Sequence, residues 1–444
     1  MGKKLLAVLL SVVMTLGMMT GCGSGTQENS GNDSESGSQQ GSQTEENRKE
    51  ATGKEESGKK TKVVCYVVNT ATTSQEPIWN SIKEKLSDRY EIELLEVDTE
   101  NLDTVIKTGI ASGEPADIYF KQGQYLKPYV DAGQAVDLTP YLTENNGEWL
   151  NSLDQSLVDV GKYDGKYYSV PMTGVYANFY YNADLLKEAG IEIPSEWTWD
   201  QFMETCAQID EKTEAYPYAI CGLCNDFMAR NALLSKSNDA GTMEAWGNAE
   251  VAVTDPLLQE CLEQTKELYD KGYWYPKDGA MITTRDEVIA AFHQGKVAII
   301  GDVNAVSGMV AEGCDFNIGI AAWPKAGKEN ISLGGADAYF IPSNAQHPDA
   351  AIEILKEFTS EEMQQIHADY GFAPVNVNVT SEDPLVQQFA DLKTRIYGSE
   401  LMYISTEMTA FWQDVLIEDY CLETNGLDEL LNQMEKLRQE AVQK

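Results

Sequence analysis

Histidine is almost missing: His293, His347 and His367 are the three in 444 residues. They lie far apart along the chain, so a histidine-based triad or metal centre is poorly supplied. Positive charge is scarce as well. Against 71 acidic residues stand 33 Lys and Arg, for a net charge of −38. Phosphate backbones and anionic membrane surfaces repel such a chain, and no basic stripe compensates, so nucleic acid is excluded as a partner. The same charge favours solubility. No GxxxxGK[ST], HExxH or GxGxxG occurs, no GxSxG outside the polar leader, and no EF-hand-like Asp pattern. Acidic residues could supply a two-carboxylate glycosidase, yet no spacing singles out a pair. The expectation is a binding protein, not an enzyme, with no cofactor and no metal.

The chain also lacks an apolar run long enough for a comfortable membrane span. Leu5 to Met19 is apolar for about 15 residues behind Lys3 and Lys4, the size and flanks of a signal peptide. The run ends in Met-Thr-Gly-Cys22. This resembles the bacterial lipobox, with Met19 where Leu is commoner, and implies cleavage after residue 21 and a lipid on Cys22. Residues 22–60 then hold Gly, Ser, Gln, Glu and Asn with no aromatic and almost no aliphatic side chain. That composition cannot bury enough surface to offset chain entropy and reads as a tether. An exported protein, held to the cell membrane by its lipid alone, is expected.

Of eight cysteines, those left after Cys22 are odd in number and scattered, which is not a disulfide framework. Cys221 and Cys224 have CxxC spacing, but no second CxxC exists to complete a zinc site. Packing is the preferred reading for all of them.

From Thr61 onward strands and helices alternate. Lys62 to Val68 reads as a strand buried on both faces, Ile92 to Val97 as a second and Asp117 to Phe120 as a third. Between them Ile78, Trp79, Ile82 and Leu86, and then Leu102, Val105, Ile106 and Ile110, recur at helical spacing. Later, Asn182 caps a helix from Ala183, Asp255-Pro256 opens another, and Val297 to Ile300 is a buried strand. Capping boxes stand at Thr198-Trp-Asp-Gln201, Thr284-Arg-Asp-Glu287 and Thr359-Ser-Glu-Glu362. This is α/β grammar. In open α/β sheets ligands bind beyond the carboxyl ends of the strands. Asn69 and Thr70, Lys121, Gln122 and Gln124, and Asp302 and Asn304 occupy such positions. Polar side chains flanked by rings suit a neutral polyhydroxyl ligand.

The densest group of rings lies between Tyr163 and Asn182, where Tyr163, Tyr167, Tyr168, Tyr176, Phe179, Tyr180 and Tyr181 gather. The stretch opens with Tyr163-Asp-Gly-Lys-Tyr-Tyr-Ser-Val-Pro171 and runs into Tyr180-Tyr-Asn-Ala-Asp-Leu-Leu-Lys-Glu-Ala-Gly190. Then come Ser195-Glu-Trp-Thr-Trp-Asp-Gln-Phe202, Ala291-Phe-His-Gln-Gly-Lys-Val-Ala-Ile299, Leu333-Gly-Gly335 and His347-Pro-Asp-Ala-Ala351. In that order these segments resemble the extracellular solute-binding proteins of ABC transporters, family 1, which includes maltose- and multiple-sugar-binding proteins. The resemblance runs from Lys62 to the C-terminus. It implies a two-lobed periplasmic-binding-protein-like α/β fold of class II, with a ligand cleft between the lobes. It places lobe one at 61–175 plus 323–372, and lobe two at 176–322 plus 373–444. Crossings are expected over Pro171–Tyr181, near Ile320–Trp323 and near Tyr370–Pro374. Thr173, Tyr176, Trp323, Gly335, Asp337, Tyr370 and Trp412 join the strand-end residues as expected ligand contacts, while Tyr180 packs the second lobe. The habitual tryptophans after Gly301 and after Gly335 are replaced by Asp302-Val303 and Ala336. That favours a small saccharide over a long one. The implied protein is a monomer that delivers its ligand to an ABC permease. The alternatives are a binder of another polar solute, such as a polyamine or an anion, and a secreted carbohydrate-active enzyme.

Overall fold

The computed structural model describes residues 60–68, 70, 74–98 and 101–443. The signal segment, Cys22, the tether and Asn69 lie outside the described residues. Among the described residues eleven strands form: β1 (Thr61–Val67), β2 (Tyr90–Glu96), β3 (Ile118–Phe120), β4 (Lys162–Tyr163), β5 (Lys166–Tyr167), β6 (Val170–Asn182), β7 (Tyr216–Ala219), β8 (Val297–Val303), β9 (Ile318–Ala321), β10 (Ile331–Phe340) and β11 (Arg395–Tyr397). The fold is mixed α/β. Parallel β2, β1 and β3 continue through antiparallel β10 and β6 to β8 and β7, with β9 on β6 and β11 on β10. β4 and β5 make a separate hairpin.

The first lobe is the βαβ part. Helix Gln75–Lys85 turns Ile78, Trp79 and Ile82 inward, as the helical spacing predicts. Trp79 donates its Nε1–H to the Tyr339 hydroxyl at 3.1 Å, and that hydroxyl donates to Gln75 Oε1 at 2.6 Å, so the polar edges of these buried rings are met. One expectation fails here. Residues 62–68 do not form a strand buried on both faces, because Val63, Cys65 and Val67 are buried while Val64 and Tyr66 are only half covered. Tyr66 instead stacks on Tyr119, ring centroids 5.2 Å apart.

The second lobe is built on β9, the later half of β6, β8 and β7. Its core is a knot of rings: Phe179 stacks on Phe202 at 5.3 Å and meets Trp197 edge-on at 5.7 Å. Asn182 and Asp255 cap their helices as expected, and the boxes at Thr198 and Thr284 form. The third does not. Ser360, not Thr359, is the N-cap, because the Thr359 hydroxyl is taken by Trp149 Nε1 at 2.8 Å and by the Leu355 carbonyl at 3.1 Å.

β6 belongs to both lobes. Its first half pairs with β10 and its second half with β8 and β9. At the changeover β8 has ended, and the Asn304 side chain takes over the ladder. Its Oδ1 accepts from Tyr176 N at 2.9 Å and its Nδ2 donates to Gly174 O at 2.9 Å. The other two crossings come later than the resemblance implied. Lys325 N still bonds Trp197 O at 2.8 Å, and Ala326 N bonds Ser235 Oγ at 2.6 Å, so β10 makes the return. Asp154 N bonds Val375 O at 2.8 Å and Val377 N bonds Ser152 O at 2.9 Å. Residues 373–377 therefore stay with the first lobe. The chain reaches β9 with helix Pro384–Asp391, where Gln388 accepts from Ile320 N at 3.1 Å.

Candidate functional site

Side chains of a strand alternate between faces, and directly paired antiparallel residues share a face. The β6–β10 pair Val175–Gly335 therefore lies on one face, and the pair Tyr176–Gly334 on the other. What covers each glycine distinguishes the two. A Cβ on Gly335 would lie 2.2 Å from Gln124 Nε2, so the Gln124 amide rests flat on that position. A Cβ on Gly334 would meet the Val175 carbonyl at 2.6 Å and Tyr176 Cβ at 2.8 Å, with Ile396 behind them.

The Gln124 face is polar and partly open. Gln122 Nε2 donates to Asp337 Oδ1 at 2.9 Å. Asp337 pairs across the strands with Thr173. Its carboxyl is raised above the ordinary range by burial, offset in part by the Gln122 amide. Some of its surface is nevertheless open to solvent. Gln124 Oε1 is buried without a partner among the described residues. All of these groups sit at the carboxyl end of β3 or on the crossing strands, where a ligand between lobes would meet them.

One residue further, Tyr125 leaves the first lobe and meets Tyr403 of the second, ring centroids 5.0 Å apart and near perpendicular. Lys121 Nζ lies 5.3 Å from the centre of the Tyr125 ring and pairs with Asp103 at 2.6 Å. Behind Tyr403 is a buried charge cluster. Arg230 donates from Nε and Nη2 to the two oxygens of Glu400 at 2.9 and 2.8 Å, from Nη1 to Asp226 at 3.2 Å, and from Nη2 to the Tyr403 hydroxyl at 3.1 Å. Burial pushes the Asp226 carboxyl up to about 6, against the pull of Arg230. A guanidinium holding two carboxylates and a phenol fixes the position of that ring, since breaking one partner leaves buried charge uncompensated.

The expected site residues separate into three groups. Gln122, Gln124, Thr173, Gly335 and Asp337 are brought together on the polar face. Tyr176, Asp302, Asn304 and Trp412 are taken up by the protein itself. Tyr176 is 8% exposed, on the opposite face, edge-on to Phe389 at 6.2 Å. Asp302 is buried and bound by Arg285 Nε at 2.8 Å and Nη2 at 3.1 Å. Asn304 completes the β6 ladder, as described above. Trp412 is buried at the start of a π-helical turn, Trp412–Leu416, and lines a cavity of about 10 Å³ with Arg230 and Glu400. The remaining residues lie apart. Thr70 is tied to Glu96 through N and Oγ1 at 3.0 and 2.6 Å. Tyr370 is 57% exposed, next to Gly371–Ala373, which line a crevice with Asn304 and Phe389. Trp323 lies in the second lobe, its ring centroid 4.3 Å from that of Phe179.

Sequence reasoning did not select Tyr125, Tyr403, Arg230, Asp226 or Glu400. Extending the strand-end rule by one residue past Gln124 would have found Tyr125. Nothing local marks Arg230 and Glu400, which are 170 residues apart. Among the described residues no group of acids, histidines and cysteines is placed to hold a metal ion, and no helix is long and apolar enough to cross a membrane.

Residues 71–365 match the family described as bacterial extracellular solute-binding protein. The chain is 25% identical over 291 residues to the multiple sugar-binding protein of Streptococcus mutans, covering 63% of this chain and 67% of that protein. It is 25% identical over 300 residues to the diacetylchitobiose binding protein DasA of Streptomyces coelicolor, covering 64% of this chain and 61% of that one. Among solved structures, a chitin oligosaccharide binding protein superposes with a TM-score of 0.71 at 20% identity, over 87% of this chain and all of its own. That likeness confirms the two-lobed fold.

Proposed function

The chain belongs to the bacterial extracellular solute-binding protein family, and from that premise we propose that it captures a small saccharide at the seam of its lobes and passes it, unaltered, to an ABC permease. The observation that carries the reading is the face made by Gln122, Gln124 and Asp337 with the Tyr125–Tyr403 contact at its edge. Amides and a carboxylate match hydroxyl donors and acceptors, while rings cover C–H surfaces. Both relatives described above carry sugar-binding names, which supports the substrate class. Ligand touching both lobes at once favours the closed arrangement, because only there are all contacts made. Cys22 carries the lipid, the segment up to residue 60 is the tether, and the folded part acts as a monomer.

A thermal-shift screen of mono-, di- and trisaccharides, amino acids and polyamines tests the ligand class. A saccharide is expected to raise the melting temperature with a dose dependence set by its Kd. Chromatography of the incubated sugar should return it intact. A hydrolysed product, or stabilisation by polyamines alone, overturns the reading. Replacing Cys22 with Ala should move the protein from the membrane fraction to the medium.

A further inference from the structure

Six of the seven cysteines among the described residues are buried. In four of them burial alone sets the character of the sulfur. It pushes the thiols of Cys261 and Cys421 up to about 12, and raises those of Cys65 and Cys206 as well. Such thiols are inert. Cys221 and Cys224 are placed differently, at the two ends of one turn and next to a guanidinium. We propose that they are a redox site, a dithiol that a hydroperoxide converts to a disulfide and a thiol reductant restores.

Geometry comes first. Gly222–Cys224 is a single 3-10 turn, in which Cys224 N donates to Cys221 O at 2.9 Å. Side chains three apart eclipse in that geometry, and the Cα atoms closing such a turn lie within about 7 Å of each other. A disulfide joins Cα atoms about 4.4–6.8 Å apart, so the bond can close with little movement of the backbone. The two sulfurs already share a hydrogen bond. Glycine between them is required. A Cβ on Gly222 would lie 2.1 Å from Met281 O, and the close approach lets Gly222 N donate to Thr283 O at 2.8 Å.

Reactivity follows from the neighbours. Arg285 Nη2 donates to Cys224 Sγ at 3.7 Å while its Nε holds Asp302 at 2.8 Å. The Cys224 S–H holds the Cys221 thiol below its ordinary range, helped by Arg285 and opposed by burial and Asp302. Cys224 is shifted upward by the same contact. Cys221 is thus the nucleophile and Cys224 keeps the proton. The Cys221 thiolate attacks one oxygen of hydrogen peroxide, the O–O bond breaks, and the departing hydroxide takes up the proton Cys221 had released. The sulfenic acid left on Cys221 is then attacked by Cys224 Sγ. The S–O bond breaks and a second water leaves with the Cys224 proton, so two thiols and one peroxide give a disulfide and two waters. Cys221 and Cys224 are 2% and 4% exposed, but Leu223 between them is 64% exposed. The turn therefore lies at the surface with its sulfurs turned in, and local opening admits an oxidant little larger than water. The source of oxidant rests on the export proposed above; the chemistry does not.

The test uses the whole mature protein, reduced, freed of reductant and given hydrogen peroxide. It is then quenched, denatured, alkylated, cut with trypsin and weighed. The peptide Thr213–Arg230, which holds both cysteines, should carry no label, be lighter by two hydrogens, and accept two labels after dithiothreitol. Cys314, the described cysteine that is not buried, is the control for exposure and should oxidise about tenfold more slowly. In Cys224→Ser, dimedone should trap a sulfenic acid on Cys221. Two labels on Thr213–Arg230 when Cys314 is already oxidised overturn the proposal. So does trapping on Cys221 no faster than on Cys314. If Cys224→Ser loses its melting transition, the peptide from the natural chain decides alone. None of these results touches the cleft, whose own failure would appear as saccharides that do not stabilise the reduced protein.

Discussion

β6 has two faces built from the same thirteen residues, and they are put to opposite uses. On one, Val175 lies beside Gly335, and the space above the glycine is filled by the movable end of Gln124. On the other, Tyr176 lies beside Gly334, and the space is filled by backbone, by Ile396 and by Phe389. The first face is held by hydrogen bonds that a ligand could exchange. The second is held by packed carbon, which nothing in water replaces. A strand that must join two lobes and also present a site keeps the tasks apart by residue parity.

Substitutions should show that separation. The largest expected effect is from Phe389→Ala. Its ring meets Tyr176 at 6.2 Å and Tyr180 at 5.6 Å, and deleting a buried phenylalanine costs about 3–5 kcal/mol. Denaturant unfolding should show that loss while the folded fraction binds saccharide as before. A loss of affinity at unchanged stability would reverse the assignment of the faces. Next come the adjacent glycines. Gly334→Ala forces a methyl against the Val175 carbonyl and should cost about 1–3 kcal/mol of stability. Gly335→Ala displaces a flexible amide, so its stability should change by well under that, while affinity falls about tenfold, about 1.4 kcal/mol. Equal behaviour of the two variants would erase the distinction. Tyr125→Ala should weaken saccharide binding by a similar factor and leave the melting temperature of the ligand-free protein nearly unmoved, because the ring is only half-buried.

The remaining effects come with pH, and they too divide by location. His367 is buried against Phe372, and burial lowers it to about 3. A histidine depressed in the folded state lends stability that is complete above its ordinary value near 6.5 and is lost as pH falls toward 3. His367→Asn should flatten the acid limb of stability. Asp337 is shifted the other way, upward. Its charged form is disfavoured by folding, so this group contributes stability at low pH that disappears as pH rises through its folded value. Ligand hydroxyls that donate to the carboxylate favour the charged form, so affinity should drop on acidification. Asp337→Asn should remove that dependence without changing the response due to His367. Isothermal titration and melting curves on the same pH series test both.

The sequence revealed most of what local physics controls. Caps at Asn182, Thr198, Asp255 and Thr284 and the helical spacing of Ile78, Trp79 and Ile82 are local features, and they form as read. The strand-end rule reached Gln122 and Gln124 because a residue just past β3 has little choice of position. Asp302 and Asn304, which stand at an equivalent strand end, are instead engaged by the protein's own groups. Their partners, Arg285 and the backbone of Gly174 and Tyr176, lie 17 and about 130 residues away. Ring chemistry alone could not separate Tyr176 from Tyr125. Parity on a twisted crossing strand decides which ring is covered, and the covering residue, Phe389, comes from a helix more than two hundred positions later. The cluster of Arg230 with Glu400 is invisible for the same reason.

The Asn304 amide, which spans two main-chain groups of β6 where the neighbouring strand has stopped, makes the joint between the halves replaceable by a single codon. Elsewhere along the ladder, altering how strands grip one another means rebuilding a backbone. Here an Asp, a Gln or an Ala would change the grip at one point, by altering a side-chain amide and not the peptide unit itself. Stiffness at the waist of the molecule is therefore a trait that selection, or an engineer, can tune separately from what either half recognises.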